Sequence, residues 1–143
     1  MNREDFQWKN KEHILELEQF HGEKGQELPL LHFPLLLAHT GVKNCFTTRE
    51  GGCSTGMFQS LNLSFTRGDD PQAVTENYRR VAEAMGGTLS DIVCSDQTHT
   101  TNVRRVDRSC GKISGCSCTV SVAVSGAASV CICVSVVSVC TLS

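Results

Sequence analysis

The chain of 143 residues lacks an excess of charge of either sign, with a net charge of −2 and a pI near 6.2. Without a basic field, and without any run of five or more like charges, nothing in it draws in phosphate backbones or lipid headgroups. Nucleic acid and membranes are therefore not expected partners. A secretory signal is lacking too: "MNREDFQWKNKEHILELEQ" is charged and has no apolar h-region, which makes the cytoplasm the expected compartment. Missing as well is an uninterrupted strongly apolar stretch of the ~20 residues that a membrane-spanning helix needs. The length suits one domain that buries most of its apolar surface.

Cysteine is present but badly distributed for a disulfide scaffold. Of nine cysteines, only Cys45, Cys53 and Cys94 precede residue 109, while Cys110, Cys116, Cys118, Cys131, Cys133 and Cys140 crowd the end. An odd total without an export signal makes reduced thiols the expectation. From Ser109 onward there is one charged residue, Lys112, and no aromatic, in a near-alternation of Val, Ser, Cys, Ala and Gly. Three accounts compete: a membrane anchor, which Ser and Gly interrupt too often; a Val-rich strand pair, which lacks gatekeepers against aggregation; and a shifted reading frame, which is the favoured one. The expected division is an extension over 1–28 holding a strand, the folded part over 29–108, and a non-native tail over 109–143.

Local patterns set out the elements. "ILELEQF" alternates Ile14, Leu15 and Leu17 with Glu16 and Glu18 and reads as a strand. "LPLLHFPLLL" carries Pro29 and Pro34, so it is expected at a sheet edge or in an extended lead-in. "VKNCFTT" is a strand ending in the glycine loop "REGGCSTG", and "FQSLNLSF" reads as another short strand. "DPQAVTENYRRVAEAMGG" is a helix: Asp70 caps it, Pro71 suits its first turn, and Gly86 or Gly87 closes it. Val74, Tyr78, Val81, Ala82 and Met85 form its buried face, leaving Glu76, Arg79, Arg80 and Glu83 as a solvated one. "DIVCS" and "TNVRRV" are strands on either side of His99.

Two places carry chemistry. In "TTREGGCSTGMFQSLNL", Gly51, Gly52 and Gly56 permit close backbone approach, Arg49 offers a planar cation for phosphate or carboxylate, and Asn62 both donates and accepts. The Walker lysine is absent, and on spacing alone a turn is the commoner reading of such a loop. His99 is alone: His13, His21, His32, His39 and Cys94 stand at no recognisable ligand spacing from it, and no histidine follows it. By itself it reads as a structural histidine, since zinc takes three or four protein ligands.

Taken in order, the glycine loop through S-L-N-L, then G-D-D-P-x-x-V-x-E-N, a helix and Q-x-H closely resemble the laccase-domain family, also called YfiH-like, from about Pro29 to Asp107. The resemblance implies an α/β fold of two packed mixed β-sheets flanked by helices, here truncated after about residue 108. It implies a zinc-dependent purine nucleoside phosphorylase, acting with phosphate on adenosine, inosine, guanosine or methylthioadenosine, with adenosine deaminase activity besides. His99 matches the first zinc ligand, Arg49 a catalytic and substrate-binding arginine, and Asn62 a substrate-binding position. The Cys and second His ligands lie in A-D-C-x-P and H-A-G-W-R-G segments that this chain does not contain, so the chain itself is expected to be inactive. The alternatives are copper-dependent polyphenol oxidation, which the family's older name implies, and a non-catalytic remnant with a Cys-rich tail.

Overall fold

A computed structural model describes residues 15–38, 42–96, 116–117, 129–133 and 136–140. Its centre is a three-stranded antiparallel sheet of β1 (Glu16–His21), β2 (Glu27–His32) and β3 (Val42–Thr47), flanked by two α-helices, α1 (Pro34–Leu37) and α2 (Pro71–Ala84). β1 alternates exposed glutamates with half-buried Leu17 and pairs along its full length with β2. Strand β4 (Ile92–Asp96) and three strands near the chain end, β5 (Cys116–Ser117), β6 (Ser129–Cys133) and β7 (Val136–Cys140), extend the same sheet in the order β1-β2-β3-β7-β6-β4-β5.

The expectation of two packed sheets, truncated near residue 108, is corrected by this topology. Among the described residues there is one sheet. The second sheet rested on the resemblance alone. Here the later strands have open ladders to fill beside β3 and β4, and β7 and β6 pair in plane with them instead of stacking above.

The core lies between α2 and the inner face of the sheet, where Leu28, Leu30, Cys45, Leu61, Val74, Tyr78, Val81, Ala82, Met85 and Ile92 form one cluster. Each fully buried Leu, Val or Ile there is worth roughly 1.5–3 kcal/mol. The helix signals hold: Asp70 accepts a hydrogen bond from the Gln72 N–H, Pro71 opens the helix, and Gly86 follows it at φ +75°. No described helix is long and apolar enough to cross a membrane.

Strand β2 is interior, not an edge, although Pro29 sits in it. In a strand the N and C=O of one residue face the same neighbour. The Pro29 carbonyl accepts from Thr48 Oγ1 at 3.2 Å, beyond the last β2–β3 pair at Leu30 and Thr47. The missing N–H therefore points where the ladder has already ended. Pro34 opens α1 rather than continuing the strand, and buried Asn44 fixes that bend by accepting from Phe33 N (2.7 Å) and donating to Phe33 O (3.3 Å).

Candidate functional site

β3 delivers the chain to Arg49, whose carbonyl oxygen anchors the loop that follows. It accepts from Ser60 N (3.0 Å), Leu61 N (2.8 Å) and Ser60 Oγ (3.0 Å), while Ser54 N donates to Ser60 O (3.0 Å). These bonds consume the backbone groups that a strand over "FQSLNLSF" would need. That segment forms a 3₁₀ turn at Gly56–Phe58 and irregular chain, not a strand.

The loop is held against α2 by buried polar groups. Asn77, fully buried, accepts from Cys53 N (2.8 Å) and donates to Ser54 Oγ (2.9 Å) and Asn62 O (2.8 Å). Asp69 accepts from Ser54 Oγ (2.7 Å) and Asn62 Nδ2 (2.8 Å). Arg80 donates to Gly51 O (2.8 Å) and Glu76 (3.1 Å). Arg79 bridges Glu76 and Glu83, and Glu83 also accepts from Glu23 N and Gln26 Nε2 at the β1–β2 turn. The charged face expected to be merely solvated is thus a set of cross-links binding the glycine loop and the β1–β2 turn to the helix.

Sequence reasoning passed over Asn77, Asp69 and Ser54, and took Arg80 for a merely solvated residue. The signal for Asn77 was present: it occupies the i+3 position between Val74 and Tyr78 on the apolar stripe of α2, where a polar residue needs partners.

Arg49 itself is exposed, its guanidinium donating through Nη2 to Gln59 O at 3.3 Å. With Glu50, Gln59 and Ser60 it lines an open cleft of about 440 Å³. Asn62 comes two residues after Ser60, but its side chain turns inward to Asp69 and Ser64. His99 lies outside the described residues. Among the described residues no three His, Cys, Asp or Glu side chains stand together as a metal site, so the residues on view do not supply the donors that zinc or copper requires. His32 is buried for another purpose: its Nδ1 meets the Asn44 carbonyl, and its Nε2 stands 2.9 Å from a Glu18 oxygen, off the line of a hydrogen bond. Burial, with the Glu18 charge adding to it, pushes the Cys45 thiol up to about 12, so it stays protonated and inert.

The hydrogen bonds from Asn62 and then Ser54 hold the Asp69 carboxyl below the usual range, and the Asp70 N–H adds to them. A carboxylate depressed on folding contributes stability above its unfolded value of ~3.9, and that contribution is lost as pH falls through the lower folded value. Urea midpoints measured from neutral pH downward should therefore drop below about pH 4, and Asp69→Ala should start lower but fall less over the same window. Parallel curves for the two proteins would rule the network out as an acid-sensitive element.

The sequence pattern of the family described as multi-copper polyphenol oxidoreductase laccase matches residues 43–140. A purine nucleoside phosphorylase of Corynebacterium glutamicum is 40% identical over 68 residues, covering 48% of this chain and 28% of its own. One of Deinococcus radiodurans is 44% identical over 72 residues, covering 50% of this chain and 26% of its own. The chain thus spans little more than a quarter of the length of these curated relatives. The crystal structure of YlmD from Geobacillus stearothermophilus shares the fold, with a TM-score of 0.58 at 20% identity over 91% of this chain and 52% of that one. Since the family match takes in well over half of the chain, including the arginine loop and the Asp70-capped helix together, the chain belongs to the multi-copper polyphenol oxidoreductase laccase family, the YfiH-like or laccase-domain family.

Proposed function

We propose that the Arg49 cleft is the phosphate-binding part of a purine nucleoside phosphorylase site, and that this chain alone does not complete the reaction. The observation that carries the reading is the exposed guanidinium of Arg49, held at the cleft rim by one bond to a backbone carbonyl. A planar guanidinium suits a tetrahedral anion with paired oxygens. In phosphorolysis a phosphate oxygen attacks the anomeric carbon of the ribose as the bond to the purine breaks. Arg49 would bind the attacking anion and offset its charge, a role that grows as water is excluded. The Corynebacterium and Deinococcus relatives, both purine nucleoside phosphorylases, support this substrate class.

The described residues do not supply a set of zinc ligands. We propose His99 as the first ligand of the metal, with the remaining donors in segments that this chain does not contain. One ligand of three holds the metal too weakly for specific binding.

Phosphate titrated into the isotopically labelled chain should shift the Arg49 Nε–H resonance and the Ser60 and Leu61 amides bonded to the Arg49 carbonyl, and Arg49→Ala should abolish the response of those amides. In parallel, equilibrium dialysis with zinc should give well under one metal per chain, and adenosine or inosine with phosphate should give no free base. Stoichiometric zinc together with turnover would sink the claim of an incomplete site, and an Arg49 signal indifferent to phosphate would sink the anion reading.

A further inference from the structure

We propose that Asn62 is a positioning residue, acting on Arg49 through the backbone of residues 59–62 without touching the ligand itself. The inference rests on the reading of Arg49 as the anion-binding group, and it reassigns the substrate-binding role expected for Asn62.

The side chain has no donor left to offer. One amide hydrogen goes to Asp69 Oδ2 at 2.8 Å and the other to Ser64 O at 3.3 Å, while Oδ1 accepts from Ser64 N at 3.1 Å. A ligand acceptor such as a phosphate oxygen could be met only by breaking one of the two donor bonds, which would strand Asp69 or loosen the turn at Ser64. The main-chain oxygen of the same residue is held by Asn77 Nδ2 at 2.8 Å. Asn62 is therefore fixed from its side chain by Asp69 and from its backbone by α2.

What it fixes is the support of Arg49. Leu61 N and Ser60 N, the two residues before it, both donate to the Arg49 carbonyl, and Gln59 O receives the Arg49 guanidinium. Main chain and side chain of the arginine both rest on the three residues that precede Asn62. A displacement of Asn62 must therefore reach the cleft even though its own side chain faces away from it.

Asn62→Asp separates the two roles because it keeps the size and replaces the donating amide with a carboxylate facing Asp69. Two carboxylates that close cannot both ionise easily, so the pair is split at neutral pH and shares a proton in acid. In amide and Arg Nε–H spectra of the full chain without any ligand, the Arg49, Ser60 and Leu61 signals should move at pH 7. They should return towards those of wild type near pH ~4, where the shared proton restores a donor to Asp69. Phosphate affinity at pH 7 should weaken by about fivefold or more, equivalent to ~1 kcal/mol. Asp69→Ala, whose side chain takes no part in the cleft, should move the same signals and carries the test if Asn62→Asp does not fold at pH 7. Ligand-free spectra in which the Arg49 and Ser60 signals stay at wild-type positions would overturn the proposal, whatever happens to phosphate affinity. A wild-type chain that ignores phosphate would instead overturn the anion reading, and the ligand-free signals would still decide the role of Asn62.

Discussion

Asn77→Ala is expected to destabilise the chain by about 3–5 kcal/mol, enough to remove a large part of the stability of an ordinary domain. Truncation leaves the Cys53 N–H without its acceptor and Asn62 O without its donor, and takes from Ser54 Oγ one of its two partners, all beside a side chain that no water reaches. Each such buried polar group left unsatisfied costs about 1–3 kcal/mol. Arg79→Ala is the informative contrast. It removes two short ion pairs, to Glu76 and Glu83, but these stand in partial contact with solvent and should cost only about 1 kcal/mol or less. Denaturant titrations followed by far-UV circular dichroism give both numbers. If Asn77→Ala melted within about 1 kcal/mol of wild type, the loop would not hang on that amide.

The same contrast marks how far the sequence could be read. Helix α2 was legible because its signals are local: a cap at Asp70, a proline in the first turn, a glycine after the last, and an apolar repeat between them. Strand β1 was legible because Leu17 stands between exposed Glu16 and Glu18. Strand β2 was misplaced because the rule that proline belongs at edges depends on where a neighbouring ladder ends, and no local pattern reveals that. The segment "FQSLNLSF" failed as a strand for a related reason. Its apolar spacing fits one, but Arg49 O and Asn77 capture its backbone groups from 11 and 15 or more residues away in sequence. At the cleft, Arg49 stands exposed with one bond to Gln59 O, while the Asn62 side chain is already engaged by Asp69 and Ser64. The expected charge on the outer face of α2 was right in composition and wrong in role, since Arg80 and Glu83 reach across to the two loops beside the helix.

Gly52→Ala is the second large effect expected, and it bears on why the arginine loop contains a pair of glycines. A Cβ at Gly52 would stand 1.9 Å from Ser60 O, 2.4 Å from Ser60 C and 2.5 Å from Leu61 Cα. All three are backbone atoms, already fixed by the Arg49 carbonyl and by Ser54 N, so none can turn aside as a side chain would. The loop must open. The bonds Gly52 N to Ser60 Oγ and Ser54 N to Ser60 O would be lost, for an expected cost of about 3 kcal/mol. Gly56 supplies the control: it has φ +62° but open space where a methyl would stand, so Gly56→Ala should cost only the left-handed backbone penalty of about 1–2 kcal/mol. Amide exchange separates the cases. Ser54, Ser60 and Leu61 should lose protection in Gly52→Ala and keep it in Gly56→Ala, and equal protection in the two variants would contradict the packing of residues 49–61. Glycine at 52 is thus required for space and at 56 for conformation. Only the first requirement ties the arginine to the segment that Asn62 and Asn77 hold in place.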